Sequence, residues 1–155
     1  MVSTYVLLKW VHVLAAIIAV GFNASYSVLL ARAAREPQHL GHVLRTVKAL
    51  DDYFANPMYG LLLATGLGMA YLTDWSLLGA FWLRAALVLY VLLAVVGIAV
   101  YSPTLRRQIR ELDARGAASP EFQRLSTRGT VVGIALAAVV TVIVFLMVVK
   151  PASPL

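Results

Sequence analysis

The run from Tyr5 to Ala31 is the strongest constraint on how this chain folds. About 20 apolar residues cross a bilayer at ~1.5 Å per residue, and this run is longer than that. It nevertheless carries Lys9, His12, Asn23 and Ser27 among Val, Leu, Ile, Ala and aromatic residues. At about 100° per residue, Lys9, His12, Ala16, Ala19, Asn23 and Ser27 fall on one stripe of a helix. Val11, Leu14, Ile17, Ile18 and Phe22 cover the faces that suit lipid. The spacing therefore predicts a helix that turns a small, polar seam headed by His12 towards the inside of a bundle. Small residues at Asn23-Ala24-Ser25 resemble a signal cleavage site, but the apolar run continues past them and His12 interrupts it, so the helix is read as retained.

Three more apolar runs follow, and composition agrees with them. The chain is 61% hydrophobic and 13% charged, against about 45–50% and about 25% for a soluble domain. The fold expected is all-α: an integral membrane four-helix transmembrane bundle forming a single domain over residues 1–155. Its helices are expected at about 5–31, 56–72, 81–101 and 129–149. The absence of cysteine excludes disulfides, iron–sulfur ligation and thiolate metal sites. The net charge of +6 does not point to nucleic acid, because the basic residues lie between apolar spans where topology accounts for them.

Local signals set the boundaries. After Arg32, Arg35, Glu36 and Pro37, the positions Leu40, Val43, Leu44, Val47 and Leu50 repeat at helical spacing. They predict an amphipathic helix, either lying at the membrane interface or extending the second span. Asn56-Pro57 reads as a cap followed by proline at the first helical position. The short link from Thr73 to Ala80 predicts an antiparallel hairpin of the second and third spans. The third is expected to stop at Ser102-Pro103, and the arginine-rich stretch after it to form two short interfacial helices broken at Gly116 and Ser119-Pro120. The two long connections hold Arg32, Arg35, Arg45, Lys48, Arg106, Arg107, Arg110, Arg115, Arg124 and Arg128, while the other side holds Lys9, Arg84 and Lys150. The positive-inside rule puts the connections in the cytoplasm and both termini outside, with Tyr5, Trp10, Trp75 and Trp82 forming an outer aromatic belt.

That topology gathers a chemistry at the outer end. Lys9, His12, Arg84 and Lys150 come from three helices, with Met69 and Met147 in the outer third of two of them. One imidazole among several cations suits an anionic ligand, and haem b is such a ligand. His12 would supply an axial nitrogen to the iron, and Lys9, Arg84 and Lys150 would pair with the propionates. Met69 or Met147 would be available opposite His12, and Ala16, Ala19, Gly66 and Gly68 would leave room for a flat macrocycle. The same residues fit a cofactor-free protein binding lipid or a partner, in which His12 hydrogen-bonds across helices and the cations snorkel to headgroups. A small transporter is a further alternative, and small-residue faces fit a homodimer. No redox partner is legible. His39 and His42 are expected at the surface.

Two segments carry a family resemblance. Leu7-Leu8-Lys9-Trp10-Val11-His12-Val13-Leu14-Ala15 resembles the opening of a bacterial family of predicted integral membrane proteins, numbered 2269 among the domains of unknown function. Met147-Val148-Val149-Lys150-Pro151 resembles its closing motif. The resemblance covers essentially the whole chain and implies a multi-pass protein of the bacterial inner membrane. That family is similar in turn to a group containing CopD-type copper-resistance proteins and HemJ-type protoporphyrinogen oxidases. HemJ-type enzymes have a first-helix histidine, matched here by His12, which implies haem b and an electron-transfer or porphyrin-oxidising role. Their functional lysine lies on a later helix, where this chain offers Arg84 in the third span and Lys150 at the end of the fourth. Copper handling would call for clustered soft ligands, and the four methionines and three histidines here are scattered.

Overall fold

Ser3 opens the first helix: its hydroxyl accepts the Val6 N–H at 3.3 Å and so caps α1, Thr4–Ala33. A computed structural model describes residues 3–152, and every regular element among them is helical. Beyond α1, a 3₁₀ turn at Pro37–His39 leads into α2, Leu40–Leu50. The stripe expected on α2 is buried at its centre, with Leu44 and Val47 almost fully enclosed.

From α2 the chain continues without a break through a π-helical turn, Asp51–Ala55, into α3, Asn56–Tyr71. The extended form of the amphipathic segment is therefore the one adopted, and Asn56 is no cap; its side-chain amide approaches Asp51 Oδ2 at 3.4 Å. The same construction recurs where α4, Phe81–Val96, passes through a π-helical turn at Gly97–Tyr101 into α5, Ser102–Arg115. Ser102-Pro103 thus does not stop the helix. Proline lacks an N–H and its ring crowds the carbonyl four residues back, which would break an α-helix. The wider π turn just before Pro57 and just before Pro103 absorbs the mismatch.

Gly116, at φ 80°, ends α5 in a conformation open to glycine. Ser119 then caps α6, Pro120–Val149, by accepting the Phe122 N–H at 3.1 Å. The second short helix expected after Gly116 is accordingly the first part of α6, which begins well before Gly129. At its far end Lys150 adopts a left-handed conformation (φ 51°) and returns its N–H to Leu146 O. Pro151 follows, so Lys150-Pro151 is a helix-ending device.

The helices pair as α1 with α3 and α4 with α6, both antiparallel. α3 and α4, joined by the short turn around Asp74 and Trp75, do not pack as the expected hairpin. Each uses its closest-fitting face on another helix. The α3 face carrying Gly66 and Gly68 fits α1, where added Cβ atoms would lie 3.5 Å from His12 Cε1 and 3.2 Å from Leu8 Cδ1. At the arginine-rich end, α2 and α5 pack on each other and on α1 and α6 respectively. The buried core sits there, built from Tyr26, Leu44, Val47, Leu105 and Phe122.

Among the described residues, three helices are long and apolar enough to cross a membrane: Thr4–Ala33, Phe81–Arg115 and Pro120–Val149, whose most apolar 18-residue stretches have mean hydropathies of 2.0, 2.5 and 3.1. The expected second span falls on α3, whose 16 residues rise about 24 Å.

Candidate functional site

The middle of the polar stripe of α1, from His12 to Asn23, faces α3, while Lys9 and Ser27 at its ends are exposed. At its head, His12 Nδ1 lies 2.9 Å from Thr65 Oγ1. Thr65 Oγ1 in turn lies 2.7 Å from the Leu61 carbonyl and 3.2 Å from that of Leu62. A hydroxyl has one proton, and a helical threonine gives it to the carbonyl a turn back. Thr65 then accepts, so Nδ1–H donates, and Nε2 of His12 is left with its lone pair. The imidazole lies beside Gly66, where an added Cβ would be in van der Waals contact with Cε1 at 3.5 Å.

Below His12, Ala15 and Ala19 are buried almost completely. Gly66 and Gly68 lie against His12 and Leu8. The small residues expected to leave room for a macrocycle are instead spent on close helix approach, Ala16 remaining partly exposed. Farther down, Asn23 donates to Ala19 O and to the Tyr59 hydroxyl, both at 2.9 Å. The Tyr90 hydroxyl donates to Tyr59 O at 2.6 Å, and the two tyrosine rings meet at 6.5 Å in an edge-on contact. This tyrosine pair ties α3 to α4.

The other expected site residues divide between the two helix pairs. Lys9 is exposed, about one turn from His12 on α1, and Met69 is partly buried on α3. Arg84 is exposed on α4, and Met147 is partly buried on α6. Lys150 Nζ stands 5.2 Å from the Trp82 ring centroid, a cation–π contact within the α4–α6 pair. The structure shows no contact joining Lys9 and His12 to Arg84 and Lys150. Among the described residues there is no group of three or more metal-ligating side chains.

Three polar groups escaped the sequence reading. Thr65 reads as a self-satisfied helix hydroxyl until α1 is known to lie on it. Tyr26 is 3% exposed and its hydroxyl has no partner among the described residues. Asp51, in the π-helical turn between α2 and α3, is 7% exposed. Its neighbour Asp52 takes Lys48 in an ion pair, which leaves Asp51 with Asn56. Burial pushes the Asp51 carboxyl above the ordinary carboxylate range and Asp52 adds to this, while Lys48, the Asn56 contact and Arg106 oppose it. A folded-state pKa raised above the unfolded one favours the protonated form. The stability it contributes is complete below about pH 4 and is lost as pH rises through the folded-state value. Asp51→Asn, which imitates the protonated acid, is therefore expected to melt higher than the wild type at pH 7 and to show a flatter melting profile between pH 4 and 8. Thermal melts of the detergent-solubilised protein across that range check this; a variant that melts lower at pH 7 would refute it.

Residues 6–151 match the family described as "Predicted integral membrane protein (DUF2269)". No curated protein and no solved structure matches the chain. Since the matched segment spans nearly the whole sequence and covers the three membrane-length helices but for the first two residues of α1, the chain belongs to the DUF2269 family of integral membrane proteins.

Proposed function

We propose that this protein binds haem b through His12. The observation that supports the reading is the 2.9 Å contact that orients the ring, His12 Nδ1 to Thr65 Oγ1; with the Thr65 proton on the Leu61 carbonyl, Nδ1 is the donor and the neutral ring has Nε2 as its ligating nitrogen. Metal-bound histidines characteristically have their second nitrogen fixed in this way, by a partner that sets tautomer and ring orientation. The donor set fits one axial imidazole. Gly66 and Gly68 are packed against His12 and Leu8, so a macrocycle ligated by His12 would have to lie off that face of α3. In this reading Lys9, Arg84 and Lys150 provide the cations for the propionates, Lys150 exchanging its Trp82 contact for one of them. Met147 on α6, or Met69 on α3, is the available thioether. Bound haem supplies one-electron redox chemistry, which suits electron transfer or, by the resemblance to HemJ-type proteins, porphyrin oxidation. The accompanying topology has α3 as a short fourth span, the arginine-rich connections in the cytoplasm of a bacterium, and both termini outside.

The same hydrogen bond favours a second reading. In a cofactor-free protein, the His12–Thr65 pair locks α1 onto α3, and the close packing at Gly66 and Gly68 serves that purpose alone. An absorption spectrum of the purified protein, oxidised and then reduced with dithionite, separates the two. A near-stoichiometric Soret band with α and β bands sharpening on reduction is expected. A flat spectrum after expression with haem supplied would overturn the haem reading and leave the structural one.

A further inference from the structure

Two open grooves lie at the arginine-rich ends of the two long outer helices. One, of about 520 Å³, is lined on α6 by Gln123, Arg124, Thr127, Arg128, Val131 and Val132. The other, of about 390 Å³, is lined on α1 by Ser27, Val28, Ala31, Arg32 and Arg35. Although they come from opposite ends of the chain, they share one plan. Each has a pair of arginines three or four residues apart, which places both guanidiniums on one helix face. Aliphatic residues occupy the next turn towards the membrane centre. Thr127 and Ser27 give their hydroxyl protons to Gln123 O and Ala24 O, so the arginines are the donors each groove offers a ligand.

These four arginines, like Arg106, Arg107 and Arg110 on α5, form no ion pair among the described residues, whereas Arg45, Lys48 and Arg115 at the same end are paired with Asp113, Asp52 and Glu111; the apolar strip beneath each pair is what distinguishes the four. Like charges one turn apart repel, so an uncompensated pair is stabilised by an anion between them. A guanidinium fork matches two phosphate oxygens at once. Below each pair the helix face stays open and apolar. On α1, Val28, Ala24, Gly21 and Ile17 are all exposed, and nothing lies within 4 Å of where a Gly21 Cβ would sit. On α6 the corresponding positions are Val131, Ala135, Ala138 and Val142, again all exposed. The strip from Arg32 to Ile17 runs about 22 Å, the length of an extended long acyl chain.

We infer that the two grooves are matched sites for anionic phospholipid, each holding the headgroup phosphate between its two arginines and an acyl chain along the apolar strip. The ligand is a lipid and not free phosphate because the cationic pair stands at the head of a lipid-facing track. This inference is independent of whether His12 binds haem.

The test is native mass spectrometry of the protein taken from bilayers containing equal dioleoylphosphatidylglycerol and dioleoylphosphatidylcholine. The wild type is expected to retain two phosphatidylglycerol molecules, preferred over phosphatidylcholine by on the order of tenfold. Arg124→Gln with Arg128→Gln should retain one, and so should Arg32→Gln with Arg35→Gln. A charge-matched control, Arg107→Gln with Arg110→Gln, should keep both, with unchanged helicity by circular dichroism in every variant compared. Equal retention of the two lipids, equal loss in the control, or complete displacement by millimolar inorganic phosphate would each overturn the proposal. If one paired variant fails to fold, the other paired variant and the control still decide it.

Discussion

Truncating Leu44 to alanine is expected to lower the melting temperature of the detergent-purified protein by roughly 5–15 °C. The estimate follows from a buried Leu→Ala loss of about 2–5 kcal/mol and about 2–4 °C per kcal/mol for a chain of this size. Leu44 is 1% exposed, and with Val47 it is the largest side chain that is fully enclosed. It sits on α2 in the cluster with Tyr26 of α1, Leu105 of α5 and Phe122 of α6. Four helices therefore lose contacts through one substitution. The comparison is Val95→Ala on α4, where the side chain is 58% exposed to what the membrane would fill with lipid. That change should shift the melt little, because a lipid-facing valine makes few contacts that are specific to the fold. Equal shifts for the two variants would show that the arginine-rich end is not where the fold is held.

The second large effect concerns His12 and Thr65. If haem is bound, His12→Ala should abolish the Soret band. Thr65→Val, which keeps shape but removes the acceptor for Nδ1–H, should weaken haem retention by about 10- to 100-fold while leaving the spectrum recognisable. If no haem is bound, the pair is a packing contact. Each single change should then lower stability by about 1–2 kcal/mol, and the double change should cost little more than either alone, as a membrane interhelical hydrogen bond would. A graded haem loss and a non-additive stability cycle are separate readouts, so neither can stand in for the other. Additive melting shifts together with a flat spectrum would count against both readings of His12.

Much of the helical plan could be read directly from the chain. Tyr5 to Ala31 is too long and too apolar to be anything but a membrane-length helix, and α1 covers it. The stripe Leu40, Val43, Leu44, Val47, Leu50 announced its own burial by spacing alone. Of the α1 residues expected to face lipid, Leu14 and Ile17 are exposed, whereas Phe22 packs against the core beside Phe54, a contact that depends on the helices folded onto it. What misled was proline. Asn56-Pro57 and Ser102-Pro103 carry every local sign of a boundary, yet both are passed by π turns, because a long helix packed at both ends loses less by widening one turn than by breaking.

Sequence by itself determined that this chain is helical and membrane-embedded, that its charge gathers at one end, and that His12 heads a polar stripe. These follow from hydrophobicity and helical periodicity, which are properties of consecutive residues. Only the tertiary structure decided that the stripe meets α3, that Thr65 holds the imidazole, and that Asp51 is buried. It also decided that α3 lays its main seam on α1 and meets α4 through the Tyr59–Tyr90 contact, where the short loop suggested a closely packed hairpin. Those outcomes depend on which helix faces approach most closely. Glycines and alanines set that approach through the fit of one surface against another, and a residue's neighbours in the chain do not encode which surface it will meet.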